Sequence, residues 1–263
     1  MPFESLRAFR RGVRLAKATA RGRLRAHTRN PPSLVGAFPD YASAMTAVPK
    51  NRIRGCDNEE VAEVPFELMC QVTLWDYPVI HWLNLSRRKG LRLVDAGGHL
   101  GTKYIAFEPL LPVTEFDWTV YDLPAIVEAG RNRQKAGALP AGIGFESDLG
   151  RVGPVDLLLG SGLLQYLDIP FAELVARLPN RPERIVLNKV ATREGPTVVA
   201  LERVGNARMP YQIRNRAAFE AGFAQMGYAL RDQWEIPPLS RVIGTHPALG
   251  QSVSRGYVLD RID

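Results

Sequence analysis

This 263-residue sequence predicts a doubly wound α/β domain: a seven-stranded, mostly parallel sheet preceded by an N-terminal helical cap. Three observations carry that expectation. From Gly90 onward short apolar runs alternate with helical segments, the rhythm of strand–helix units that cover both faces of one sheet. The composition, 46% hydrophobic and 23% charged, is that of an ordinary globular chain; it excludes a disordered tail, a collagen-like repeat and a small disulfide-stapled scaffold. A chain of this length also buries roughly 70–75% of the surface its unfolded form exposes, enough for a core without metal or disulfide.

The first element is a basic arm, residues 1–30. Leu6, Phe9, Val13, Ala16, Ala20 and Leu24 recur every three or four residues, which gives a helix one apolar face opposite a face that is almost wholly arginine. The arm holds nine of the 34 Lys and Arg and, of the 27 acids, only Glu4, a net +8, so the rest of the chain is at −1. The basic pI of 9.6 belongs to the arm, and a nucleic-acid-binding body, which would keep its positive charge on the folded surface, is argued against. Three readings of the arm stay open: a stripe packed on the body, contact with an anionic surface, or an organelle transit peptide, against which its poverty in serine speaks.

Asn30-Pro31-Pro32-Ser33 breaks the helix and marks a linker. Residues 31–89 read as the helical cap: Asp40 can cap a short helix through Val48, and a longer apolar stretch from Phe66 to Leu85 is divided at Pro78. Residues 90–263 form the α/β domain. Its predicted strands are Leu91–Asp95, Trp118–Tyr121, Ile143–Glu146, Val155–Leu159, Arg184–Asn188, Tyr228–Glu235 and Gly256–Asp260. Helices are predicted near Thr102–Glu108, from Pro124 to Lys135, from Pro170 to Leu178 and from Asn215 to Met226. Cys56 and Cys70 fit no metal-ligand spacing and no disulfide framework, and no apolar run approaches the ~18–20 residues of a membrane span. The expectation is a soluble, cytoplasmic protein without a metal.

In such a sheet a ligand lies beyond the C-terminal strand ends, so the residues that follow each strand carry the functional information. The first strand runs into Asp95-Ala96-Gly97-Gly98-His99-Leu100-Gly101. Glycines there let backbone approach a ligand, while the acid repels phosphate and suits an ammonium or hydroxyl group; neither a dinucleotide loop nor a phosphate-binding P-loop is spelled. Asp122 ends the second strand, 27 residues after Asp95, where a carboxylate accepts from ribose hydroxyls or caps the helix that begins at Pro124. Asp148 follows the third strand as a partner for an exocyclic amine, and the pliable Gly160–Tyr166 loop, with Ser161 and Gly162, follows the fourth. Four polar strand ends in register point to an adenosyl ligand that carries an amino-acid end.

These segments resemble a known group. Arg92 to Tyr104 is similar to the first motif of class I S-adenosylmethionine-dependent methyltransferases, which have a Rossmann-like fold. More narrowly, Tyr41–Ala44, Val94–Gly101, Trp118–Pro124, Ser161–Leu167 and Pro210–Arg216 resemble a bacterial family of methyltransferases often encoded beside surface-polysaccharide or specialised-metabolite genes. The resemblance implies S-adenosylmethionine as cofactor, with Asp95, Gly97, Gly98 and Gly101 at its methionine end, Asp122 at the ribose, Asp148 at adenine, Leu123 among the cofactor-binding residues and Tyr41 closing over it. The sequence departs from that pattern at His99, where a small residue is usual, and at Lys103-Tyr104, where a His-Tyr pair is usual.

For the acceptor, a small molecule or sugar with an attacking oxygen or nitrogen, three residues are candidates. His99 is a general base or a backbone hydrogen-bonder; Tyr166 orients the acceptor, faces the sulfonium through its ring, or merely packs; Asn188 binds the acceptor or caps the fifth strand. Two rival functions remain. One is cyclisation of the same ligand by its own amine, giving azetidine-2-carboxylate and methylthioadenosine. The other is a non-catalytic module that binds an adenosyl group or an anionic surface.

Overall fold

The chain opens with helix α1 (Pro2–Ala26), strand β1 (Leu34–Phe38), the short helix α2 (Tyr41–Thr46) and strand β2 (Ile53–Arg54). The computed structural model describes residues 2–28, 30–49, 53–54, 66–204 and 207–262. Asp40 caps α2 as its position predicts, its carboxylate accepting from Ser43 N at 2.7 Å. Residues 31–89 are not helical throughout, however: Leu34–Phe38 is a strand paired antiparallel with a strand near residue 200. The tertiary partner decides this, because the six residues between Pro32 and Pro39 nucleate no helix. The stretch from Phe66 also divides earlier than Pro78 predicts. Helix α3 (Phe66–Met69) stops after one turn, and Pro78 instead sits in the first turn of α4 (Tyr77–Ser86), a position that needs no backbone donor. Cys56 lies outside the described residues.

All seven strands expected after Gly90 form. The central elements are β3 (Leu91–Ala96), α5 (Thr102–Phe107), β4 (Phe116–Tyr121), α6 (Pro124–Lys135), β5 (Ile143–Glu146), β6 (Leu157–Ser161), α7 (Phe171–Ala176) and β7 (Arg184–Arg193). After β8 (Val198–Val204), β9 (Ala207–Asn215) and α8 (Arg216–Gln225), the chain closes with β10 (Tyr228–Ile236) and β11 (Val253–Arg261). The expected strands lie in the order β5–β4–β3–β6–β7–β11–β10, with β11 antiparallel to both its neighbours. Helices α4, α5 and α6 bury Leu83, Phe107 and Val127 on one face; α7 and α8 bury Leu174 and Phe223 on the other. This is the doubly wound arrangement.

The count of seven is corrected to eleven among the described residues, since β1, β2, β8 and β9 extend the same sheet. β8 and β9 form an antiparallel hairpin, β1 pairs with β8, and the far end of β7 joins β9 at Thr192 and Arg193. Strand β7 runs past the normal end of a central strand through an irregularity. Leu187 faces Tyr257 and Val190 faces Arg255, so Asn188 and Lys189 together oppose Gly256. Lys189 takes a left-handed backbone, φ 63°. Such a bulge bends a strand and re-aims its side chains. The chain order reverses between β3 and β6, and the crevice beyond their carboxyl ends is where the site is found.

Candidate functional site

The switch point holds a cavity of about 270 Å³. Its floor is Asp95, Gly97 and Gly98 at the end of β3, with Thr102 and Lys103 from the start of α5; Ser161 closes the side at β6 and Lys189 at the β7 bulge. Leu68, Met69, Gln71, Thr73 and Trp75, from α3 and the segment after it, form the roof. Three polar atoms in this lining are buried without a hydrogen-bond partner: Asp95 Oδ2, Ser161 Oγ and Trp75 Nε1. Native interiors leave few such atoms, so a cluster of them around one cavity points to a ligand.

Asp95 is buried, and desolvation pushes its pKa up to about 7, against the smaller opposing effect of Lys103. Lys189 is affected in the opposite direction. Burial, and then the neighbouring Lys103, bring it down to about 8, while Asp76 and Asp95 favour its charge. A carboxyl and an amine that titrate near neutrality thus face the same cavity. Gly97 adopts φ +73°, and a Cβ on Gly98 would lie 2.6 Å from Asp95 Cγ and Oδ2. The glycine pair is therefore what leaves the carboxylate room at the strand end.

Lys103 is held away from solvent by Asp76, which takes its Nζ at 3.0 and 2.9 Å through the two carboxylate oxygens. Asp76 also accepts from Thr73 N at 3.0 Å and Thr73 Oγ1 at 2.7 Å, a Thr-x-x-Asp capping box that starts the turn leading into α4. The roof is thereby tied to α5. Asn188 belongs to the same network: its Nδ2 donates to Trp75 O at 3.1 Å and its Oδ1 accepts from Trp234 Nε1 at 3.3 Å. Nδ2 also donates to Asp76 Oδ1 at 3.4 Å, so Asn188 holds the roof with both amide hydrogens engaged.

Along the β4 edge, Asp122 accepts from His99 N and Leu123 N, each at 2.8 Å, and burial raises its pKa. It therefore braces the glycine loop, and it is not the helix cap, since Leu123 precedes α6 without a side-chain cap bond. Leu123 is exposed beside it. Asp148 is exposed and spends Oδ1 on Gly150 N at 2.9 Å, with Arg151 3.6 Å from Oδ2. Gly101 starts α5 with φ 78° and a Cβ there would meet Ile143 at 2.6 Å, so its glycine serves helix–strand packing. Gly162 follows β6 with φ +82°. The His99 ring is buried with neither nitrogen partnered, and desolvation lowers its pKa; it does not line the Asp95 cavity.

Two expected residues lie elsewhere. Tyr41 is on α2, which packs on the antiparallel β1–β8–β9 layer, and it is absent from the cavity lining. Pairing of β1 with β8 carries it there. Tyr166 is half-buried, donates to Glu202 Oε2 at 2.5 Å and stacks edge-on with Tyr211 at 5.7 Å. Burial and Glu202 raise its pKa well above the usual phenol value, and Arg241 completes the cluster by bonding Glu202. Lys189 and Asp76 were missed. The signal for Lys189 was its place after the fifth strand, and that for Asp76 was the capping-box spacing from Thr73. A larger cavity, about 520 Å³, lies between the end of α1 and the β1–β8 layer, away from the switch point. Among the described residues no cluster of His, Cys, Asp or Glu could hold a metal, and no helix is long and apolar enough to cross a membrane.

No family model and no curated protein matches this sequence. Solved structures similar to it include the 1,6-didemethyltoxoflavin-N1-methyltransferase of Burkholderia thailandensis with 1,6-didemethyltoxoflavin and S-adenosylhomocysteine bound. That pair is 16% identical, with a TM-score of 0.49 over 72% of this chain and 79% of the other. The magnesium protoporphyrin IX methyltransferase of Synechocystis PCC 6803, with bound S-adenosylmethionine, is 15% identical over 76% and 80%, TM-score 0.44. LepI in complex with S-adenosylmethionine is 18% identical over 75% of this chain, TM-score 0.44, and this chain spans 46% of LepI.

Proposed function

We propose that the chain binds S-adenosylmethionine in the crevice over β3 and β6 and transfers its methyl group to an oxygen or nitrogen of a small molecule or sugar. The observation that carries this reading is the pairing of Asp95 and Lys189 on one cavity beside the unpartnered Ser161 Oγ and Trp75 Nε1. A buried acid and a half-buried amine that share a small cavity complement the ammonium and carboxylate of an α-amino acid. The sequence resemblance supplies the rest of the ligand.

In this reading Asp95 accepts from the ammonium and Lys189 donates to the carboxylate. Asp122 keeps lone pairs for ribose hydroxyls after bonding His99 N and Leu123 N. Leu123 covers the adenine, and Asp148 accepts from its amine. When bound, S-adenosylmethionine supplies an electrophilic methyl group. The chain's own contribution is alignment, which needs the attacking atom within ~3–3.5 Å and in line. Burial keeps His99 neutral but its ring lies outside the cavity lining, and the Tyr166 hydroxyl is committed to Glu202. An amine held protonated against Asp95 has no lone pair with which to close a four-membered ring, which disfavours the cyclase reading.

Incubation with S-adenosylmethionine and candidate acceptors, read by mass spectrometry, tests the reaction. S-Adenosylhomocysteine formed only with acceptor supports methyl transfer; azetidine-2-carboxylate and methylthioadenosine formed without acceptor would overturn it. Asp122→Ala should weaken S-adenosylhomocysteine binding by about 1–3 kcal/mol in calorimetry, because bonds to a charged acceptor are lost. Gly98→Ala should cost at least about tenfold in the same titration, or ~1.4 kcal/mol, with the circular dichroism spectrum unchanged, because the new methyl displaces the Asp95 carboxylate.

A further inference from the structure

The arm docks on the body with the side its apolar pattern did not predict. Among the described side chains of α1, the half-buried or buried ones are Leu15, Thr19, Gly22 and Ala26. The approach there is backbone to backbone: a Cβ on Gly22 would lie 1.8 Å from Gly244 O. Phe9, Val13, Ala16, Ala20 and Leu24 are exposed, Phe9 by 69% and Leu24 by 73%. At 100° per residue this stripe sits roughly a third of the way around the helix from the docked face. It runs for ~22 Å, since each residue rises 1.5 Å. A third stripe, Arg7, Arg10, Arg14, Lys17, Arg21 and Arg25, follows the same three- and four-residue spacing directly beside it, and all six are exposed.

We infer that α1 is a membrane-surface anchor, laying its exposed apolar stripe among the acyl chains of an anionic phospholipid surface with the arginine stripe at headgroup level. The physical grounds are the side-by-side placement of the two stripes and the location of the charge. An interfacial helix needs an apolar face to insert and cations to meet acidic headgroups, and it binds without spanning. Charge complementarity selects the surface, because the chain's entire positive excess lies in residues 1–30 while the remainder is at −1. Docking at Gly22 fixes the helix to the body, so the catalytic domain would be carried at a set orientation. The inference is independent of what the Asp95 cavity binds, because α1 contributes nothing to that cavity's lining.

The test is co-sedimentation of the full chain with phosphatidylcholine vesicles, with and without about one third phosphatidylserine. The expected result is binding to the anionic vesicles only, reduced at least about tenfold between ~0.1 and ~0.5 M salt as the charges are screened. The pair Phe9→Asp and Val13→Asp should reduce vesicle binding at least tenfold by removing insertion, and Arg10→Glu with Arg14→Glu should do the same by removing attraction. Both variants should keep the wild-type melting temperature, since neither pair touches the docked face. Absence of vesicle binding by the wild-type chain would overturn the inference. So would unchanged binding by the Phe9 and Val13 variant, which would mean that charge alone acts. A wild-type dimer in sedimentation that falls to monomer in that variant, without vesicle binding, would assign the stripe to a second copy of the chain.

Discussion

Replacing Asp95 with Asn should strongly weaken S-adenosylhomocysteine binding while making the unliganded protein more stable above neutral pH. The two effects share one cause. Burial raises the Asp95 pKa to about 7, so the folded protein holds a proton between pH ~4 and ~7 that the unfolded chain has released. Stability from this group is fully present below the unfolded pKa and is lost as pH rises through the folded one. By pH 8 the charged, buried carboxylate costs about 4 kcal/mol relative to its unfolded state, at 1.36 kcal/mol per pKa unit. Asparagine carries no such charge and should raise the melting temperature at pH 8 by roughly 5–10 °C, with little change at pH 4. It also removes the counter-charge for the ligand ammonium, so calorimetry should show affinity reduced at least about a hundredfold, ~2.7 kcal/mol. A variant that bound as tightly as wild type would remove Asp95 from the site.

Asp76→Ala should be the most damaging single change outside the glycine loop. Asp76 is fully buried and accepts from Lys103 and Thr73. Its loss leaves the Lys103 ammonium, whose side chain is 9% exposed, without its counter-ion. Breaking a buried pair from one side costs about 3–5 kcal/mol, or roughly 10 °C in melting temperature for a chain of this size. The double change Asp76→Ala with Lys103→Met should recover part of the loss, because the stranded charge is then gone. Thermal melts of the two variants, compared with wild type, measure this coupling.

The seven expected strands were legible as short apolar runs, and β3, β4 and β6 each lead through a polar or glycine-rich turn into a helix. The four added strands were not. Strand β9 contains Pro210 and two buried arginines, Arg208 and Arg214, a pattern that argues against a strand read in isolation. It is stabilised by the length of its pairing with β8, from Val198↔Ile213 to Val204↔Ala207. Leu34–Phe38 likewise becomes a strand only because β8 is there to pair with it.

The site divides in the same way. Asp95, Gly97, Gly98 and Asp122 lie at strand ends, and the topology alone brings them to the switch point. Tyr166 and Asn188 satisfied that rule too, yet Glu202 and Trp234, 36 and 46 residues distant, claim their polar atoms. Lys189 escaped notice for the opposite reason: its aim comes from a bulge that exists only through pairing with β11. The arm shows how periodicity can mislead. The helix it predicted is present, but a close backbone approach at Gly22, outside the apolar stripe, decides which face docks.

In the proposed complex the amino-acid end of the ligand lies between Asp95 and Lys189. Calorimetric titration with S-adenosylhomocysteine across pH, beside methylthioadenosine, which lacks that end, tests it most directly. Binding to an ionised Asp95 requires the free protein to release a proton below its pKa of about 7, so affinity should fall about tenfold for each pH unit below that point. Methylthioadenosine should bind more weakly and show no such slope. Equal, pH-independent affinity for the two ligands, or no binding of S-adenosylhomocysteine at all, would contradict the account.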